Sequence, residues 1–267
     1  MTLITDFLEN SSRNYPQKTA LIFKDSKFTY SELLDAVRTK SSFFSRYQKN
    51  SVISLLFENS PEFIISYLGV LKSACIAHII PPNISENNLH DQIVSTNPKS
   101  IVFSNELSSK LSIIDNSKIE QLEYSEIKST SNDTRQANAS DYAYLIYTSG
   151  TTSRAKGVPI THQNSVFTTN NIVNTLSYNN SDIDILPLPL SHSFGLGCLH
   201  TSLCVGSTLI LHKNMTNLSE IFESMNKYTA TTFAAVPTTL TKLIKNNLSD
   251  VKTIFKNLRL IMTNSTS

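Results

Sequence analysis

The run Tyr147-Thr148-Ser149-Gly150-Thr151-Thr152-Ser153-Arg154-Ala155-Lys156-Gly157 concentrates hydroxyls, two glycines and a lysine in one turn-rich segment. Hydroxyl and backbone N–H groups donate to phosphate oxygens, and lysine supplies a compact positive charge. Few tasks other than holding a polyphosphate need that set. The apolar run at 142–147 reads as a buried strand and 158–161 as a second short strand. The segment therefore hangs between strands, unlike the strand-to-helix loop of a Walker motif. An ordinary Ser/Thr-rich turn is the alternative. Lys156-Gly157 and the flanking strands weigh against it.

The elements that must carry this loop alternate between strand and helix. Helical patterns are expected over residues 2–14, from the capping box Thr29-Tyr30-Ser31-Glu32 to about 46, from Ser60-Pro61-Glu62 onward, over 85–96, over 162–176, near Leu199, over 218–227, and from Pro237 to about 246. Strands are expected at 19–24, 27–29, 52–57, 75–80, 100–103, 183–186, 208–211, 231–235 and 258–262. The alternation implies an α/β protein of layered, largely parallel β-sheets flanked by helices. The organisation expected is a first α/β subdomain over 1–124, a polar surface linker over 125–140, and a portion over 141–267 carrying the loop within the same large domain. The sequence stops at Ser267, straight after a strand, so the covering helix that normally follows is expected beyond it. The apolar surface left there is a candidate for self-association.

The 267 residues are 40% hydrophobic and 16% charged, with a net charge of +2. That suits a globular protein with a sizeable core and, lacking a dense basic block, argues against nucleic acid as a partner. Cys75, Cys198 and Cys204 lie in apolar surroundings without metal-ligand spacing and read as reduced core residues. Residues 1–6 lack the pattern of a signal peptide and no apolar run is long enough to span a bilayer, so the location expected is cytoplasmic. His78, His90, His162, His200 and His212 are isolated and read as satisfied structural histidines. No metal set is visible. Tyr144 and Tyr147 read as core, and Asp182 with Asp184 as a solvated turn. Ser191 has no nucleophile elbow, which excludes a serine hydrolase.

The loop resembles the phosphate-binding signature of the adenylate-forming enzymes, the acyl-CoA synthetases with their adenylation-domain and luciferase relatives. Phe28-Thr29-Tyr30-Ser31-Glu32-Leu33, Leu71-Lys72-Ser73-Ala74-Cys75, Leu188-Pro189-Leu190-Ser191-His192-Ser193-Phe194-Gly195-Leu196 and Val236-Pro237-Thr238 are similar to further family segments in the same order. The resemblance covers essentially the whole sequence. It implies the N-terminal part of a family enzyme that uses ATP and Mg²⁺ to join a carboxylic acid to a thiol through an acyl-adenylate. The thiol would be coenzyme A or the phosphopantetheine arm of a carrier protein. By resemblance Thr148, Ser149, Thr151 and Thr152 donate to the β- and γ-phosphates. Gly150 and Gly157 let the backbone approach because they tolerate positive φ. Lys156 balances the pyrophosphate charge in a catalytic role. His192, with Phe194 and a flexible Gly195, lies near the carboxylate and the acyl tunnel, and Pro237-Thr238 leads into that tunnel. A gating or orienting role for His192 is favoured over base catalysis, because a carboxylate is already ionised at neutral pH. A capping or core-edge histidine is the alternative.

Two loop positions depart from the family pattern. Ser153 stands for a glycine, which costs roughly 1–2 kcal/mol if the position is left-handed. Ala155 stands for a proline, a loss of about 0.4–1 kcal/mol through the unfolded chain. The resemblance also implies that most Mg²⁺-binding residues, the ribose-binding aspartate and the mobile C-terminal domain with its catalytic lysine lie outside these residues. The sequence alone is expected to be weakly active or inactive. Fatty or related acids are favoured as substrates, because Phe233-Ala234-Ala235 lacks the aspartate with which amino-acid adenylation domains grip an amino group. A non-catalytic nucleotide- or carrier-protein-binding module is the competing reading.

Overall fold

The computed structural model describes residues 2–115, 118–129, 135–148, 156–237, 241 and 255–263. In chain order the strands of the first half are β1 (Thr19–Phe23), β2 (Ser26–Thr29), β3 (Val52–Leu56), β4 (Ile76–Ile80), β5 (Ser100–Phe103) and β6 (Glu120–Glu123). Those of the second half are β7 (Tyr142–Thr148), β8 (Lys156–Thr161), β9 (Ile183–Leu186), β10 (Thr208–Leu211), β11 (Thr232–Ala234) and β12 (Leu260–Met262). The helices are α1 (Ile4–Asn14), α2 (Tyr30–Phe44), α3 (Pro61–Lys72), α4 (Glu86–Thr96), α5 (His162–Leu176), α6 (Ser193–Val205) and α7 (Leu218–Tyr228).

Helix starts follow local chemistry. Thr29 and Glu32 form the expected capping box, Glu32 N donating to Thr29 Oγ1 at 3.2 Å and Thr29 N to Glu32 Oε2 at 2.8 Å. Ser60 Oγ accepts from Phe63 N, with Pro61 in the first helical position, where its missing N–H costs nothing. Thr161 caps α5 in the same way.

Two six-stranded sheets result, in the orders β12-β11-β9-β10-β1-β2 and β6-β5-β3-β4-β7-β8. Neighbouring strands are parallel except in two hairpins, β1–β2 and β7–β8, which close one edge of each sheet. The sheets are therefore mixed at their margins. The inner strands β1, β3, β4 and β10 are largely apolar on both faces because both faces are covered. Leu21, Leu186, Leu209 and Leu211 face a central cluster, while Ile22, Ile185 and Ile210 face a second cluster under α7. In the other sheet Leu55, Ile79 and Val102 join the same central cluster, and Leu56, Ile80 and Ile101 turn outward to α4 and the 3₁₀ segment Asn105–Ile113. The central cluster holds α1, α2, α3 and α6 between the sheets.

Several expectations are corrected. Strand β6 was not foreseen. Its sequence, Glu-Gln-Leu-Glu, carries no strand pattern, and it exists through pairing with β5. Within 125–140, Ile127 and Ala139 are buried. Asp182 and Asp184 are not a solvated turn: both are buried. Asp182 is paired with Arg259. Asp184 accepts from Ser207 Oγ and Thr232 Oγ1. Burial pushes the Asp184 carboxyl up, with the Asp182 charge adding to it. Of the helix expected from Pro237 to about 246, Pro237 and Thr241 are described, Thr241 Oγ1 donating to Pro237 O at 3.0 Å. The rest lies outside the described residues.

Candidate functional site

In parallel sheets, ligands bind beyond the carboxyl ends of the strands, where the connecting loops diverge. Three segments that carry residues singled out from the sequence leave the sheets at such ends. Strand β9 runs out into the segment ending at His192, β11 into Ala235-Val236-Pro237, and β7 into the loop at 149–155. The β7–β8 hairpin fixes that loop at its base. Thr148 pairs with Lys156 and Tyr147 with Gly157. The loop therefore does hang between two strands.

Ser149, Gly150, Thr151, Thr152, Ser153 and Ala155 lie outside the described residues, as does Thr238, and of Thr148 only the backbone is placed. Lys156 and Gly157 are exposed at the start of β8. Gly157 does not have positive φ, which corrects the reason given for it. A Cβ there would lie 3.1 Å from Tyr147 Cζ and 3.2 Å from Leu145 Cδ1, so glycine instead lets the tyrosine ring lie across the strand. Tyr147 Oη in turn bonds Ser95 Oγ at 2.6 Å.

His192 occupies the N-cap position of α6, exposed, and its side chain makes no cap hydrogen bond. The segment before it is held by a buried residue the sequence did not mark. Asn59 Nδ2 donates to Leu188 O and His212 O, and Asn59 Oδ1 accepts from Leu190 N at 2.8 Å. Gly195 is not flexible. It is buried, and a Cβ would come within 2.3 Å of Pro189 O. Phe194 and His192 diverge: Phe194 lines one cavity and His192 another, on the Asn59 side.

The Phe194 cavity, about 570 Å³, lies between α5 and α6 against the β7–β8 hairpin. Its walls include Ile160, Phe167, Ile172, Phe194, Cys198 and Met262, with Tyr144 and His200 behind. Tyr144 and Ile160 are cross-strand partners on the hairpin that carries the loop at 149–155. Tyr144 is core, as expected, but it is also cavity wall. Cys198 is half-buried, packs against the central cluster and also lines this cavity, and burial raises its thiol pKa. His200 is satisfied on both nitrogens, by Tyr67 Oη at 2.9 Å and Ser165 Oγ at 3.0 Å, and burial pushes its pKa down to about 3. The same expectation fails for His162 and His212, whose buried Nε2 atoms have no hydrogen-bond partner among the described residues. Nothing in the sequence marked Ser165. Its place on the inner face of α5 emerges only when α5 and α6 pack.

Among the described residues no group of three or more His, Cys, Asp and Glu side chains is placed to hold a metal ion, and no helix is long and apolar enough to cross a membrane.

Comparison with known proteins supplies the context. The family model described as AMP-binding enzyme matches residues 8–266. Bacitracin synthase 2 of Bacillus licheniformis is 24% identical over 91% of the chain, which spans 9% of that protein. Oxalate–CoA ligase of Arabidopsis thaliana is 27% identical over 99% of the chain, which spans 56% of that enzyme. Among solved structures, o-succinylbenzoate CoA synthetase of Bacillus subtilis in complex with its acyl-adenylate intermediate superposes over 100% of this chain and 55% of its own. The TM-score is 0.88 at 22% identity, a likeness of fold. The same synthetase in complex with ATP and magnesium ion gives a TM-score of 0.86 over 97% of the chain and 54% of its own, at 21% identity.

Proposed function

The chain belongs to the AMP-binding enzyme family, and on that premise we propose that it is the N-terminal part of an ATP-dependent acid–thiol ligase. The observation that carries the reading is the shared hairpin. One end of β7–β8 bears the loop rich in hydroxyls and lysine, and Tyr144 and Ile160 on the same two strands wall an apolar cavity. From Tyr144 to Thr148 is four residues of strand, on the order of 13 Å. An apolar acid in the cavity and a triphosphate on the loop would then meet near the C-terminal end of β7.

The chemistry begins with a carboxylate oxygen attacking the α-phosphorus of ATP and pyrophosphate leaving. A thiolate then attacks the acyl carbonyl and AMP departs. The barrier of the first step is the meeting of negative charges, which fixed donors and cations lower where charge builds. In this reading Thr148, Ser149, Thr151 and Thr152 donate to the leaving phosphates, and Gly150 and Gly157 leave room for the approach. Lys156 neutralises the pyrophosphate. His192 orients the carboxylate, and Phe194, Gly195, Pro237 and Thr238 shape the entry. No step is assigned to magnesium. Coenzyme A and a carrier-protein arm both remain acceptors; a CoA ligase and a bacitracin synthase are both among the relatives that match this chain.

Calorimetric titration with ATP tests the reading. Lys156→Ala is expected to weaken binding tenfold to a hundredfold, the worth of hydrogen bonds to a charged group. Unchanged affinity in that variant would refute the assignment of the loop. Pyrophosphate exchange, measured with this chain alone and with a longer product of its reading frame, separates the two readings: exchange in the longer product only supports the ligase part, and ATP binding without exchange in either favours the non-catalytic binding module.

A further inference from the structure

Of the polar side chains lining the cavity, Gln163, Asn164, Thr168 and Ser193 are exposed, whereas Ser165 is buried, and the hydrogen-bond chain behind Ser165 has a direction. His200 is held neutral by burial, so one of its nitrogens donates and the other accepts. Tyr67 is fully buried, and its hydroxyl has no acceptor among the described residues other than His200 Nε2. If Nε2 carried the hydrogen, the Tyr67 hydroxyl hydrogen would be stranded in the core, an expensive arrangement. Tyr67 therefore donates to Nε2, and Nδ1–H donates to Ser165 Oγ. The hydrogen of Ser165 is left over at the cavity wall, within hydrogen-bonding reach of the Tyr144 hydroxyl. The other buried aliphatic hydroxyls in this wall are already committed. Thr169 Oγ1 donates to Ser165 O at 2.8 Å and Thr201 Oγ1 to Gly197 O at 2.9 Å.

We propose that Ser165, backed by His200 and Tyr67, presents a donor hydrogen to the cavity, directly or passed on through the Tyr144 hydroxyl. The acid bound there carries an accepting oxygen (ketone, ether or ester) part-way along an apolar tail. Ser165 is then a specificity-determining residue and Tyr67 a positioning one. A saturated tail would leave the donor unpaired in a dry pocket, and such a mismatch discriminates more sharply than shape does. The proposal rests on reading this cavity as the acyl site.

The test is equilibrium binding of decanoic acid and of its mono-oxo analogues, with the ketone moved one carbon at a time. The proteins are the full chain and its Ser165→Ala and Tyr144→Phe variants. One oxo isomer is expected to bind about three- to tenfold more tightly than decanoic acid, the net worth of a neutral hydrogen bond. That preference should vanish in at least one variant, which should bind decanoic acid as tightly as the unmodified chain or more tightly, because the unpaired donor is gone. Tyr67→Phe should weaken the preference and leave decanoic acid unaffected. Equal binding of all acids by the unmodified chain would overturn the proposal, as would a preference that survives in both variants. So would loss of decanoic acid binding in Ser165→Ala, because the hydroxyl would then hold the head group. Failure of every acid to bind the folded chain would sink the acyl-site reading itself, and the proposal with it.

Discussion

A methyl group added at Gly195 would lie 2.3 Å from the Pro189 carbonyl oxygen and 3.2 Å from that of Leu188. Both carbonyls belong to backbone that Asn59 clamps, so neither can easily retreat. Gly195→Ala is therefore expected to cost roughly 1–3 kcal/mol in urea denaturation, the range for overpacking a tight site. Gly157→Ala meets only the Tyr147 ring and the Leu145 tip, at 3.1 and 3.2 Å, which can give. Its loss should be the smaller of the two. An equal loss at both glycines would contradict this account of why α6 starts where it does. Sequence spacing placed both residues in functional segments but could not tell close approach from backbone freedom, because either use selects glycine.

Strand β12 is an edge strand of three residues whose Met262 joins the cavity wall. Its anchor is the residue before it. Arg259 donates through Nε to Asp182 Oδ1 at 2.7 Å and through Nη2 to Oδ2 at 2.5 Å, and its Nη1 reaches Leu176 O at the end of α5. Burial alone would raise the Asp182 carboxyl. The Arg259 pair, with hydrogen bonds from Asn179 and Thr231, outweighs it and holds the group below its usual 3.8. A depressed carboxylate contributes stability that is complete above the unfolded value and is lost as pH falls through the folded one. Asp182→Asn should lower stability by roughly 1.5–3 kcal/mol at neutral pH. The difference in Tm between the two proteins should stay constant above about pH 5 and narrow below it. Hydrogen exchange at 260–262 should speed up in the variant. A difference that widened in acid would reverse the assigned sign.

One apolar cluster runs through both sheets and the helices between them, so the two sheets are expected to unfold together. Leu199, in α6, is 1% exposed within that cluster. Leu199→Ala should cost about 2–5 kcal/mol. Hydrogen exchange should then show β3 and β10, one from each sheet, losing protection in step. Loss confined to β10 would mean that the layers are energetically separate.

What the amino-acid order determined by itself is local: helix starts at Thr29, Ser60 and Thr161, the alternation that makes an α/β fold, and the loop between two strands. Each follows from short-range chemistry or from apolar periodicity within a single element. The tertiary structure alone decided the strand order, in which β1 pairs with β10 almost two hundred residues away. It alone turned Asp182 and Asp184 inward, paired β6, and set Ser165 against His200 at the wall of the cavity. Those outcomes depend on which faces meet across long stretches of chain. No pattern within a short window records such a meeting.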